Sequence, residues 1–247
     1  MIQISEIYNA PQGEGPFIGR QMLFVRVNRC PLSCTWCDTR FTWDKNHPDY
    51  GKGVESYSAS GLAQKMIDSA KSLSPHEPMA VTFTGGEPMI YQNELPEVID
   101  LFRGHYRIPI EIETSGIVMP SQAMLLRCHF NVSQKLPSSG NEKIATDKLF
   151  NRKITRMFAL HRATFKVVVA EEDDKIAIPL YVAWLRKATE GIIPWHQLRT
   201  RIYLMPEGVT AERIAARQGR IIELSQKLGV CATTRMHVTA FGEDRKR

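Results

Sequence analysis

Apolar runs alternate with stretches of helical periodicity along most of the chain. Residues 23–27, Leu-Phe-Val-Arg-Val, predict a strand that leads straight into a cysteine-bearing loop. The next helix has Ser60 as its N-cap and carries Leu62, Met66, Ala70 and Leu73 along one face. Residues 80–84 predict a strand stopped by Gly85-Gly86, residues 95–105 a helix, and residues 108–113 and 129–133 two further strands. Residues 137–160 are polar and mixed in charge, which predicts a long loop or a weakly specified helix. A strand over 164–169, a helix over 178–188 and a strand over 201–205 follow. Thr210 then caps a helix with Ile214, Ile221, Leu224 and Leu228 on one side and Gly229 just past its end, and residues 235–239 predict a last strand.

This βαβα order implies an α/β fold with a mostly parallel sheet and crossover helices. No repeat or low-complexity linker divides the 247 residues, so residues 1–247 are expected to form a single domain. Five polar turns follow strands: the cysteine loop, Thr84-Gly-Gly-Glu-Pro88, Glu113-Thr-Ser-Gly116, Ser133-Gln-Lys135 and Met205-Pro-Glu-Gly208. Parallel sheets build active sites at the carboxyl ends of their strands, so all five are expected on one rim.

Composition narrows the function classes. With 43% hydrophobic and 23% charged residues the chain is an ordinary globular protein. Lys and Arg number 32 against 26 Asp and Glu, but the resulting +6 is dispersed. A nucleic-acid binder clusters its basic residues, so no direct nucleic-acid contact is expected. No apolar run approaches the ~18 residues of a membrane span. The opening Met1-Ile-Gln-Ile-Ser-Glu6 lacks the basic start and apolar run of a signal peptide, so the expected location is the cytoplasm.

Of five cysteines, Cys30, Cys34 and Cys37 lie within eight residues in a C-x3-C-x2-C spacing. An odd number, clustered, is not a disulfide framework. Structural zinc would need a fourth ligand, for which His47 is the nearest candidate. Inert core thiols are a second reading. The third is a [4Fe–4S] cluster held by three cysteines, with one iron left for a non-protein ligand. Cys128 and Cys231 stand alone and read as small hydrophobes.

Cys30-x3-Cys34-x2-Cys37 followed by Gly85-Gly86-Glu87-Pro88 resembles the radical SAM superfamily, in which S-adenosylmethionine chelates the fourth iron. Within it, Gln12-Gly-Glu-Gly15, Gly19-Arg20, Phe24-Val-Arg26, Trp36-Cys-Asp-Thr39, Glu113-Thr-Ser-Gly116 and Lys135-Leu-Pro-Ser-Ser-Gly140 are similar, in order, to the 7-carboxy-7-deazaguanine synthases. Similarity is dense over residues ~5–140 and continues through Phe165-Lys-Val-Val, Leu204-Met-Pro-Glu-Gly and Arg235-Met-His237. A glycyl-radical-enzyme activase shares the cysteine spacing, but the Gln12 turn and Arg26 set this chain apart. A zinc-dependent nucleic-acid-binding protein is the rival from another class, and it would be colourless where an iron–sulfur protein is brown.

The resemblance implies an incomplete TIM-like barrel and a radical SAM enzyme that converts 6-carboxytetrahydropterin to 7-carboxy-7-deazaguanine, with ring contraction and loss of ammonia. It also implies Mg²⁺, a homodimer and an electron donor such as flavodoxin or ferredoxin. Carried over by position, Cys30, Cys34 and Cys37 hold the cluster, and Thr39 is the Mg²⁺ ligand. Trp36, Cys37, Asp38, Gly86, Ser133, Gln134 and Lys135 border S-adenosylmethionine. Pro11, Gln12, Gly13, Glu14, Arg26 and Thr84 bind substrate. Gln134 stands where the family has proline, which predicts a looser turn. Without the resemblance, Arg26 would read as a solvent-facing residue between Val25 and Val27, and Glu113 as an exposed strand carboxylate.

Overall fold

The computed structural model describes residues 1–72, 76–141, 143–170, 174–242 and 244. Among these residues nine strands form one sheet: β1 (Ile2–Pro11), β2 (Gln21–Val27), β3 (Glu55–Tyr57), β4 (Ala80–Gly85), β5 (Ile110–Thr114), β6 (His129–Val132), β7 (Ala163–Val169), β8 (Ile202–Pro206) and β9 (Cys231–Ala232). Their spatial order is β3-β1-β2-β4-β5-β6-β7-β8-β9. β1 runs antiparallel to β2 and β3; every other pairing is parallel. The order has two ends and does not close, so the architecture is the incomplete TIM-like barrel that the resemblance implied.

Period-two alternation assigns the two faces. Val25, Phe83, Ile112, Phe130, Phe165 and Leu204 belong to one continuous apolar core between sheet and helices. The helices packed on this core are α1 (Ala59–Lys71), α2 (Leu95–Arg103), α3 (Gln122–Arg127), α5 (Arg152–Leu160), α6 (Asp174–Ala188), α7 (Trp195–Leu198) and α8 (Ala211–Leu228), while α4 (Thr146–Leu149) packs beside the cysteine loop and α9 (Met236–Phe241) at the cavity. The residues between those core positions (Arg26, Thr84, Glu113, Lys166) point the other way, into the barrel. No helix among the described residues is long and apolar enough to cross a membrane.

Several elements differ from the sequence expectation. Residues 235–239 are not a strand: α9 begins at Met236, whose N–H donates to the Gly13 carbonyl at 2.8 Å. A five-residue run with one buried apolar side chain, Val238, carries too little pattern to separate the two states. The cap of α1 is Ser58, accepting from the Gly61 N–H at 3.1 Å, rather than Ser60. Leu73 lies outside the described residues. The polar stretch 137–160 contains α4 and α5, the latter capped by Asn151, which accepts from Lys153 N and Ile154 N. β1 precedes the strand at which the sequence pattern began, and it lacks a plain alternation because Glu6 and Tyr8 face the barrel while Ile2 and Ile4 join the core.

Candidate active site

A cavity of about 640 Å³ opens at the carboxyl ends of the parallel strands. It brings together the cysteine loop after β2, the glycine turn after β4, the turn after β6 and the Gln12 turn after β1. Of the site residues named from sequence, Gln134 alone does not line it.

The cysteine loop leaves β2 through Arg29, which takes a positive φ of 73°. Cys30, Cys34 and Cys37 share a small apolar pocket with Leu32, Ile117 and Leu149. Two N–H groups aim at the sulfurs: Asn141 Nδ2 donates to Cys34 Sγ at 3.2 Å and Trp43 Nε1 to Cys37 Sγ at 3.3 Å. Burial pushes the Cys30 thiol up to about 12, so its thiolate persists only beside a cation. Among the described residues no three His, Cys, Asp or Glu side chains converge as ligands of a single metal ion. The irons of a cubane lie apart, so its thiolates need not converge. Three clustered thiols, two of them with N–H donors aimed at the sulfur, therefore fit the cluster, and among the described residues no zinc site with His47 is formed. Thr39 is 8% exposed, its hydroxyl 3.5 Å from both the Gly85 carbonyl and Cys37 Sγ. Hydroxyl and carbonyl oxygens are the donor types Mg²⁺ takes.

Gly85 and Gly86 let this loop and the β4 turn meet. Gly85 has φ 98°, and a Cβ on Gly86 would stand 1.8 Å from the Arg29 carbonyl oxygen, which accepts from the Glu87 N–H at 2.9 Å. Glu87 is fully buried and ties the turn to β5, accepting from Thr114 Oγ1 at 2.7 Å, from Ser115 N at 2.8 Å and from the Ser115 hydroxyl. Gly86→Ala is expected to cost about 1–3 kcal/mol and to displace the cysteine loop. Thermal melts with iron analysis check this; an unchanged melt would mean the backbones do not touch as described.

The opposite wall alternates charge. Arg26 Nε sits 3.0 Å from Glu6, and its Nη2 donates to the Tyr8 hydroxyl at 2.8 Å, so Arg26 faces the cavity rather than solvent. Thr84 Oγ1 donates to Glu113 Oε2 at 2.6 Å. Pro11, Gln12, Gly13 and Glu14 form the turn above them. Glu14 pairs with Lys166 and with Arg235, the latter at 2.8 Å; Arg235 also pairs with Asp38 beside the cysteines. Burial works against ionised Glu14, yet Lys166 and Arg235 outweigh it and hold the carboxyl well below its ordinary range. Gly13 packs on His237, where a Cβ would meet Nδ1 at 1.9 Å.

Sequence reasoning missed Glu111, which lies just beneath the site, and Lys166, Arg235 and His237 entered it only as part of the resemblance. A signal existed for Lys166: a lysine among Phe165 and Val167-Val-Val169, in a strand covered on both faces, needs buried partners. After β6, Ser133 and Lys135 line the cavity, Lys135 Nζ lying 2.9 Å from Ser133 Oγ and 5.2 Å from the Trp36 ring centre. Gln134 turns away: its amide accepts from the Tyr181 hydroxyl at 2.7 Å and donates to Thr155 Oγ1 at 3.2 Å.

Residues 12–140 match the family described as a 4Fe-4S single cluster domain. The 7-carboxy-7-deazaguanine synthase of Pyrobaculum aerophilum is 30% identical over 248 residues, covering 99% of this chain and 96% of that protein. The enzyme of the same name from Hyperthermus butylicus is 29% identical, covering 96% and 92%. Among solved structures, QueE from Escherichia coli superposes with a TM-score of 0.67 at 23% identity, covering 96% of this chain and 94% of that one. Native anSMEcpe with bound AdoMet and Kp18Cys peptide gives a TM-score of 0.54 at 11% identity over 87% and 63%; at these identities both structures speak to fold alone. With similarity carried through nearly the whole of both chains, and the cysteine loop inside the iron–sulfur match, the chain belongs to the 7-carboxy-7-deazaguanine synthase family.

Proposed function

We propose that this protein is a radical SAM lyase that converts 6-carboxy-5,6,7,8-tetrahydropterin to 7-carboxy-7-deazaguanine, contracting the ring and releasing ammonia in 7-deazapurine biosynthesis. The observation that carries this is the two-sided cavity: three sulfurs in an apolar corner face a wall of fixed, alternating charge. When bound, the [4Fe–4S] cluster and S-adenosylmethionine supply the one-electron chemistry that begins the reaction. Cys30, Cys34 and Cys37 would hold the cluster, while Trp36, Asp38, Gly86, Ser133 and Lys135 would border S-adenosylmethionine, with Gln134 buttressing that last turn from inside.

The protein's part is orientation and exclusion of water. The Arg26 guanidinium presents a fork suited to the pterin carboxylate. Gln12, Glu14 and Thr84 would bind the rest of the ring. Thr39 would place one hydroxyl oxygen on Mg²⁺, whose other positions go to water and substrate oxygens. Residues 1–247 act as one domain. The resemblance supports a cytoplasmic homodimer reduced by a flavodoxin or ferredoxin.

Anaerobic incubation of the reconstituted protein with 6-carboxytetrahydropterin, S-adenosylmethionine, Mg²⁺ and a reductant tests the reading. The expected product is 7-carboxy-7-deazaguanine; cleavage of S-adenosylmethionine with the pterin untouched would sink it. In the same assay, Thr39→Val should weaken the Mg²⁺ response by about tenfold or more, and Thr39→Ser should restore most of it. An unshifted Mg²⁺ titration for Thr39→Val removes that hydroxyl from the metal.

A further inference from the structure

Beneath the cavity the barrel interior stays polar. Glu111, Gln12, Thr82 and Asn131 are all buried there. Glu111 Oε2 accepts from Thr82 Oγ1 at 3.0 Å and from Gln12 Nε2 at 3.1 Å. Its other oxygen, Oε1, is buried with no hydrogen-bond partner among the described residues, and so are both amide atoms of Asn131, which is 0% exposed. Asn131 is paired across the sheet with Glu113, and the next position on that face, His129, with Glu111. Neighbouring strands lie about 5 Å apart and same-face residues about 7 Å apart, so Glu111 and Asn131 face one another diagonally. Gly15 borders the space, where a Cβ would come within 3.3 Å of Asn131 Nδ2. Buried polar atoms are as a rule hydrogen-bonded, and water does this wherever the protein does not.

Charge around Glu111 is already matched without it. Glu113 stands on its own strand and Lys166 on β7, where Lys166 pairs with Glu14 and lies 3.6 Å from Glu113. On β6, burial and the nearby Arg201, Arg162 and Arg20 bring His129 down to about 4, so it is neutral. β4 offers the Thr82 hydroxyl and the Gln12 turn an amide. Among the described residues Glu111 has no ion pair of its own, and Lys166 is already shared by Glu14 and Glu113.

We propose that this chamber is an internal hydration site, with water held between the Glu111 carboxyl and the Asn131 amide, and that Glu111 occupies it as an un-ionised acid. Its Oε1 hydroxyl donates to the water, while its Oε2 carbonyl accepts from Thr82 and Gln12. Gln12 in turn reaches Glu113 Oε1 at 3.4 Å and accepts from the Glu14 N–H at 3.2 Å. Glu111 is thus a positioning residue for the Gln12–Glu14 turn, a role that rests on the function proposed above. Burial, with Glu113 beside it, pushes the Glu111 carboxyl up to about 7, which agrees.

A carboxyl held above its unfolded value takes up protons on folding, so stability falls as pH rises from about 4.5 through about 7. Glu111→Gln keeps a carbonyl acceptor and a donor and cannot ionise. The melting temperature of the reconstituted variant, relative to wild type, is expected to climb by about 5 °C between pH 5 and pH 8. The wild-type-minus-variant infrared difference near pH 6 should contain the carbonyl band of an un-ionised acid. A crystal structure of the wild-type holoenzyme should show ordered water touching both Glu111 and Asn131. A pH-independent difference in melting, carboxylate bands alone, or a dry chamber overturns the proposal. Glu111→Ala should raise KM for the pterin about tenfold, and Glu111→Gln should restore it; equal KM values would remove the positioning role. If the wild type does not turn over the pterin, the function fails, while the melting, infrared and crystallographic results still decide the chamber.

Discussion

Alanine at Cys30, Cys34 or Cys37 is expected to abolish cluster assembly, leaving reconstituted protein that is colourless and inactive. The three thiols share one apolar pocket, and each is a required thiolate when three must hold a four-iron cube. Removing any one leaves two thiolates where the cluster needs three from the protein. Cys128→Ala and Cys231→Ala should keep iron and sulfide near wild type. Cys128 is 3% exposed within the main core, and burial pushes its thiol up to about 12. Cys231 sits on the last strand, 3.7 Å from the Thr200 carbonyl oxygen. Iron, sulfide and visible absorption of the five variants decide the matter; loss of iron in either of the last two would overturn the ligand assignment.

Lys166→Met should produce the largest loss of stability among single substitutions in the barrel. Lys166 is 5% exposed, pairs with Glu14 and stands 3.6 Å from Glu113. Methionine fills most of its volume but leaves the two carboxylates without the cation between them. Breaking a buried pair in this way costs about 3–5 kcal/mol, or about 6–20 °C in melting temperature for a chain of this length. Adding Glu14→Gln should recover part of the loss, because it removes one of the two carboxylates that shared Lys166 and leaves Arg235 to balance the rest. The double-mutant cycle gives the coupling directly. Additive effects would mean that Lys166 and Glu14 do not share a charge balance.

What could be read from sequence divides along physical lines. The sulfur corner was legible because its residues are close together and chemically distinctive: three cysteines in eight positions followed by a double glycine. The strands with continuous apolar runs were legible for a similar reason, since a parallel strand buried on both faces has little polar interruption. The charged wall was not. Glu14 meets Lys166 across 152 residues and Arg235 across 221, and no local pattern encodes such a meeting. β1 escaped because a register shift between Ile4 and Glu6 moves the even-numbered positions from the core face to the barrel face, which breaks the alternation that marks a strand. The tail was misread for the opposite reason: the few residues of α9 suit either state, and docking on Gly13 settles it.

The polar lining of the barrel has a further effect, on how the chain finds its fold. A parallel sheet of valine, isoleucine and phenylalanine tolerates sliding, because one apolar side chain replaces another at little cost. Here a slip of one residue along β5 would exchange Ile110 and Ile112 with Glu111 and Glu113, driving two carboxyl groups among the core phenylalanines. The same slip in β7 would turn Lys166 into the apolar core that Phe165, Val167 and Val169 occupy. Each misaligned sheet thus carries unpaired buried charge and is strongly disfavoured. The polar groups of the barrel interior also make one strand alignment overwhelmingly better than its neighbours, so neutralising them by mutation is expected to loosen that alignment.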